Sequence, residues 1–209
     1  MKKVLWIALL ALALPMAAFA STTTSVDFTN SGGTLSGSSE GLTLSGSELI
    51  AVNGLNGMGL VTGALGSVSF STGALMAGGS LQNGGSFAGG AGSSFVIDGN
   101  GLNGIPSGAI FSGTFDGPVT WTLITLANGT HNYTLSGSIT GTWYNGTTVY
   151  GASVQLTINT GKGFFNGSTK ISSGDTSIGA SPVPEPSSLI FLGTGLIAVA
   201  GLLRHKLTI

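Results

Sequence analysis

The chain has 209 residues, a formal net charge of −1, 6% charged residues, 37 glycines and no cysteine. Without cysteine there are no disulfide staples, no thiolate zinc centre and no lipid anchor on an N-terminal thiol. Between residues 21 and 181, Asp27, Glu40, Glu48, Asp98, Asp116 and Asp175 face only Lys162 and Lys170, a net charge of −4, which argues against nucleic acid as a partner.

The first element is a leader. Lys2 and Lys3 form a positive stretch, residues 4–14 an apolar one, and Ala18-Phe19-Ala20 a small-residue cleavage site, the pattern of a signal peptide over residues 1–20. Signal peptidase would leave Ser21 as the first mature residue. The alternative, an uncleaved anchor, fits poorly because the apolar run is short and is followed by Pro15.

Residues 21–181 suit one exported domain, rich in Gly, Ser and Thr. Its apolar residues alternate with polar ones, as in Ser67-Val68-Ser69-Phe70-Ser71 and Ser153-Val154-Gln155-Leu156-Thr157-Ile158-Asn159. Period two with β-branched and aromatic residues predicts half-buried strands. In chain order these fall at 25–29, 42–44, 48–52, 59–62, 67–71, 94–98 and 109–115. A glycine-rich stretch at 73–92 reads as irregular or as a closely packed strand pair. The clearest pattern follows: strands at 119–127, 133–144 and 147–159, separated by turns containing Asn128-Gly129 and Asn145-Gly146. Asn-Gly tolerates positive φ and favours tight hairpins, so these three strands predict an antiparallel meander. The expected fold is all-β: an antiparallel β-sandwich or a curved barrel-like sheet. A parallel β-helix would suit the turn residues but not the hairpins. An outer-membrane barrel would suit the alternation, but the aromatic residues are few for two girdles.

Catalytic signals are sparse. His131, in the turn 128–132, reads as an exposed turn residue; a catalytic role would need a carboxylate and a nucleophile beside it. Gly37-Ser38-Ser39-Glu40-Gly41 matches a nucleophile-elbow spacing without the surrounding strand-to-helix turn. Gly99-Asn100-Gly101-Leu102-Asn103-Gly104 matches a dinucleotide fingerprint but runs into Ile105-Pro106 and not into a helix. Asp98, Asn100 and Asn103 share a loop whose oxygens would suit calcium, although the full EF-hand spacing is absent and turn formation explains them equally well. Four Asn-x-Ser/Thr sequons, at Asn128, Asn132, Asn145 and Asn166, read as turn chemistry. Trp121, Trp143, Tyr144 and Tyr150 would stack on sugars if they shared an exposed face; their large area otherwise places them in the core.

The final elements form a tail over residues 182–209. Val183-Pro184-Glu185-Pro186 precedes an uncharged apolar run at 187–203, which is followed by Arg204, His205 and Lys206. As a helix that run would measure about 25 Å, enough to cross a hydrocarbon core of about 30 Å with its basic end snorkelling. The basic residues favour the cytoplasmic side and leave the Pro-Glu-Pro segment outside. An ordinary single-pass anchor would share the apolar run.

In motif, span and basic end, this tail closely resembles the PEP-CTERM sorting signal of bacterial exosortase substrates. The resemblance covers residues from about 181 onward, together with the leader. It implies export, transient anchoring in the inner membrane and cleavage near the motif by an exosortase. The destination would be the cell surface or the exopolysaccharide matrix of a Gram-negative bacterium. It does not specify the central domain, because such tails are carried by unrelated domains. The expected role of that domain is a non-enzymatic surface or matrix component that contacts polysaccharide or its own copies. The alternatives are a carbohydrate-binding or adhesin module, with or without calcium, and a secreted hydrolase.

Overall fold

The computed structural model describes residues 25–179. The leader with Ala18, Ala20 and Ser21, the motif Val183, Pro184, Glu185 and Pro186, the apolar run 187–203, and Arg204 and Lys206 lie outside the described residues. Among the described residues no helix is long and apolar enough to cross a membrane.

Twelve strands follow in order: β1 (Ser25–Ser31), β2 (Thr34–Ser38), β3 (Gly41–Asn53), β4 (Val61–Ser71), β5 (Gly85–Phe87), β6 (Ser94–Asn100), β7 (Ser107–Phe115), β8 (Val119–Thr125), β9 (His131–Trp143), β10 (Thr148–Asn159), β11 (Ser168–Lys170) and β12 (Ser173–Gly179). Single 3-10 turns lie at Leu55–Gly57 and Gly90–Gly92. Eight strands close an antiparallel barrel in the order β1-β12-β10-β9-β7-β6-β4-β3, with β3 returning to β1.

Two 13-residue strands, β3 and β9, change partner along their length. Residues 48–53 of β3 pair with β1, whereas residues 41–45 pair with β2, which carries β11. Residues 139–143 of β9 pair with β7, whereas residues 131–136 pair with β8, which carries β5. The described domain is therefore a closed barrel at one end and splits at the other, where β2 with β11 and β8 with β5 leave the barrel. Of the two expected arrangements the barrel-like sheet is the one the strands form, as an eight-stranded barrel with extra strands.

A buried polar pair marks the first branch. Asn30, 2% exposed, donates from Nδ2 to Ser47 Oγ at 2.7 Å, and Ser47 Oγ donates to the Ser31 carbonyl at 3.2 Å. The register of β1 on β3 shifts between Thr29 and Asn30, and these bonds satisfy polar groups buried beside the shift.

Alternation places the core inside. In β10, Val149, Ala152, Val154, Leu156 and Ile158 are buried, while Ser153, Gln155 and Asn159 face out. This is the inverse of an outer-membrane barrel, whose outward face is apolar. The barrel interior holds Phe28, Phe70, Phe95, Phe111 and Phe115, with Trp143 packed on Phe28 and Phe111 at centroid distances of 6.0 and 5.7 Å. In the split half Trp121 stacks on Tyr133 at 4.8 Å, and Phe165 meets Trp121 edge-on at 5.5 Å. Trp121 Nε1 donates to the Leu81 carbonyl at 2.9 Å, and the Tyr133 hydroxyl donates to the Gln82 carbonyl at 2.7 Å. Those bonds draw the glycine-rich segment over the split end and cap its core.

The meander is present as β8-β9-β10, with its two turns at the expected Asn-Gly pairs. Other boundaries differ. The stretches expected at 42–44 and 48–52 are one strand, β3, whose alternation is interrupted by register shifts between Leu44 and Ser47 and between Leu49 and Ala51. The segment 73–92 contributes the short β5 and two isolated bridges, Leu75 with Phe87 and Ser80 with Gly84. His131 does not lie in an exposed turn. It opens β9 and is 9% exposed, with its ring stacked on Phe164 at 4.3 Å.

A polar ladder as the candidate functional site

The outward positions of one wall line up into polar rows. Cross-strand registers place Asp27, Ser177, Ser153 and Ser138 side by side across β1, β12, β10 and β9. The next row runs Thr29, Asp175, Gln155, Ser136, Thr120 and Ser86, from β1 across to β5. A third joins Ser173, Thr157, Thr134 and Thr122. Neighbouring groups within a row are about 4.8 Å apart and successive rows about 6.7 Å apart, the spacings of any pleated sheet. The result is a regular lattice of hydroxyls, one primary amide and carboxylates.

Part of this lattice floors a trough of about 800 Å³, lined by Asp27, Ser136, Ser153, Gln155, Asp175 and Pro118 among others. Two carboxylates, Asp175 in the trough and Asp116 beside its Ser138, are held in place. Thr29 Oγ1 donates to Asp175 Oδ1 at 2.9 Å, and Ser138 Oγ donates to Asp116 Oδ2 at 2.9 Å. Three of the domain's six carboxylates, Asp27, Asp116 and Asp175, therefore border one polar surface. The amide of Gln155 and the hydroxyls beside it offer donors and acceptors to a polyhydroxylated chain lying across the strands.

The candidate residues named from the sequence fall elsewhere. Asn100 ends β6, with its Nδ2 donating to the Ala64 carbonyl at 2.5 Å and its Oδ1 accepting from Leu102 N–H at 2.9 Å. Asn103 stands in the same turn at φ 55°, and Asp98 lies inside β6 opposite Ala109. The Asn100 oxygen that a calcium ion would use is thus engaged in its turn. Among the described residues no group of three or more His, Cys, Asp or Glu is placed to hold a metal ion. Asn128 and Asn145 likewise accept from the backbone two residues on, Thr130 and Thr147, each at 3.0 Å; their sequons are turn devices.

His131 Nδ1 lies 3.1 Å from Thr125 Oγ1, its one side-chain hydrogen-bond partner among the described residues. Ser39 sits in the tight turn between β2 and β3, followed by a strand and not by a helix. The four aromatic candidates separate. Trp121 is buried and Trp143 packs on the core, whereas Tyr144 and Tyr150 are exposed. The tryptophans thus offer no open stacking platform. The lattice went unread because its residues were visible only as the polar half of each alternation. Their alignment depends on cross-strand register, which composition does not encode.

No curated protein and no solved structure matches this chain. Residues 182–204 match a family model described as the PEP-CTERM protein-sorting motif. The chain therefore carries a PEP-CTERM protein-sorting tail, which implies an exported protein held transiently in a membrane and processed by an exosortase.

Proposed function

We propose that this is a non-enzymatic surface or matrix protein of a Gram-negative bacterium, delivered by its leader and released from the inner membrane by cleavage near Glu185. The sorting motif over residues 182–204 carries the reading, supported by the leader pattern and by a mature domain of low charge. Mass spectrometry of the mature protein from its host tests it. The expected C-terminus lies near the Pro184-Glu185-Pro186 motif. Glu185→Ala, or removal of Arg204 and Lys206, leaves the full tail on protein retained in the inner membrane. A mature wild-type form that still contains residues 187–209 refutes it.

The outer lattice favours a second, finer reading: the domain contacts exopolysaccharide through the trough around Gln155 and Ser136. An extended glycan presents hydroxyls at regular intervals, and a rigid sheet presents partners for them without ordering flexible loops. Calcium is not required by this reading. Co-sedimentation with the host matrix polysaccharide measures it. The double variant Gln155→Ala, Ser136→Ala removes two exposed hydrogen-bonding groups and should weaken binding about tenfold, taking about 0.5–1.5 kcal/mol per bond. Unchanged binding, with the thermal transition also unchanged, removes the trough from the proposal.

A further inference from the structure

Both ends of the described chain leave the barrel at one place. Ser25, the first residue of β1, is the cross-strand partner of Gly179, the last of β12. Gly54 backs onto the Ser25 carbonyl and opens the connection 54–60 at the closed end. That connection is tied to its neighbours. The Tyr144 hydroxyl donates to Asn56 Oδ1 at 2.7 Å, and Met58 Sδ lies over Gly104. From this rim large apolar side chains stand into solvent: Leu60 is 68% exposed, Leu102 59% and Tyr144 46%, with Tyr150 nearby at 70%.

Leucine with tyrosine is the composition that suits the boundary between water and lipid, where an apolar body and a polar tip are both satisfied. The opposite end also exposes Ile124, Leu126 and Phe164, and Lys162 and Lys170 belong to that half. Chain connectivity distinguishes the two ends. The apolar run 187–203 begins eight residues after Gly179, a tether of at most about 29 Å. A 13-residue strand such as β9 is about 43 Å long, which at the usual tilt of barrel strands spans about 30–35 Å along the axis. The tether is too short to carry the far end past the barrel to the membrane.

We infer that the closed rim of the barrel, through Leu60, Leu102 and Tyr144, docks on the lipid surface while the tail anchors the precursor. This rests on the reading that the tail enters a bilayer. Docking would hold the cleavage segment at a fixed height above the membrane until the tail is removed, after which the rim is free. Among the described residues the rim carries no lysine or arginine, so the contact is apolar and does not depend on anionic lipid.

The chain has no cysteine, so single labels can be placed directly. The full chain carrying Leu60→Cys, Leu102→Cys or, at the far end, Lys162→Cys is labelled with a nitroxide and reconstituted into phosphatidylcholine vesicles. Flotation is measured first, then the accessibility of each label to oxygen and to a nickel chelate. All three should float. Labels at 60 and 102 should be several-fold more accessible to oxygen than the label at 162, and less accessible to the chelate. Floating protein whose labels at 60 and 102 are as aqueous as that at 162 overturns the docking alone. Protein that does not float overturns the anchoring reading and the docking together.

Discussion

Gly141 faces the barrel interior from β9, opposite Gly113 of β7. A methyl group there would collide with the Phe111 ring and with the Ser112 carbonyl. Four residues earlier, a methyl on Gly137 would meet the Phe115 ring at 2.8 Å. Two inward positions of β9 are thus empty because two phenylalanines of β7 lie across them. The rings cover the bare backbone and keep the interior dense, the pairing of glycine with a cross-strand aromatic used to stabilise sheets. Much of the glycine in this chain serves turns, but these residues serve packing. Gly141→Ala should cost about 1–3 kcal/mol, because a fixed backbone oxygen as well as a ring must move. Urea denaturation checks this by a lower midpoint at unchanged slope. A variant as stable as the parent would mean that the ring and strand can give way freely.

At the scale of the element, legibility followed the regularity of the strand. The meander β8-β9-β10 could be read because Asn128-Gly129 and Asn145-Gly146 punctuate long alternating runs, and turn chemistry is a local property. The boundaries of β3 could not be read, because Gly46 at φ 65° and two register shifts interrupt its alternation in mid-strand. β2, β11 and β12 carried still weaker signals. The sequence Thr34-Leu35-Ser36-Gly37-Ser38 is a strand because β3 offers it a partner, and β12 because β1 and β10 flank it. The candidate site shows the same division. That Gln155 and Ser153 face outward follows from alternation alone. That Gln155 stands in one row with Asp175 and Ser153 in the next with Asp27 follows from register across three strands. His131 was misplaced by a related cause. Its turn ends one residue earlier, and Phe164, 33 positions away, covers the ring.

At the scale of the molecule, closure joins the first strand to the last. β1 pairs with β12 across about 150 positions of sequence, and β12 also completes β10. Closure leaves β5 and β11, three residues each, as the outermost strands among the described residues. Edge-to-edge association of copies through these short strands is disfavoured, so a matrix role rests more on the outer lattice than on strand pairing. Closure also orders events during export. The barrel cannot shut until residues 173–179 have emerged, and these immediately precede the sorting tail. Contacts of such long range make folding slow, and they make β12 indispensable, since its loss takes one of the two partners from both β1 and β10, opens the barrel and removes the buried Ile178 and Thr176. A mature chain truncated after Ser172 should therefore show no cooperative urea transition, whereas the chain ending at Ser181 should unfold in one step. Tryptophan fluorescence follows the core around Trp121 and Trp143 in both. A sharp transition in the shorter chain would mean that the barrel is stable open, and that the last strand is an ornament on a sheet complete without it.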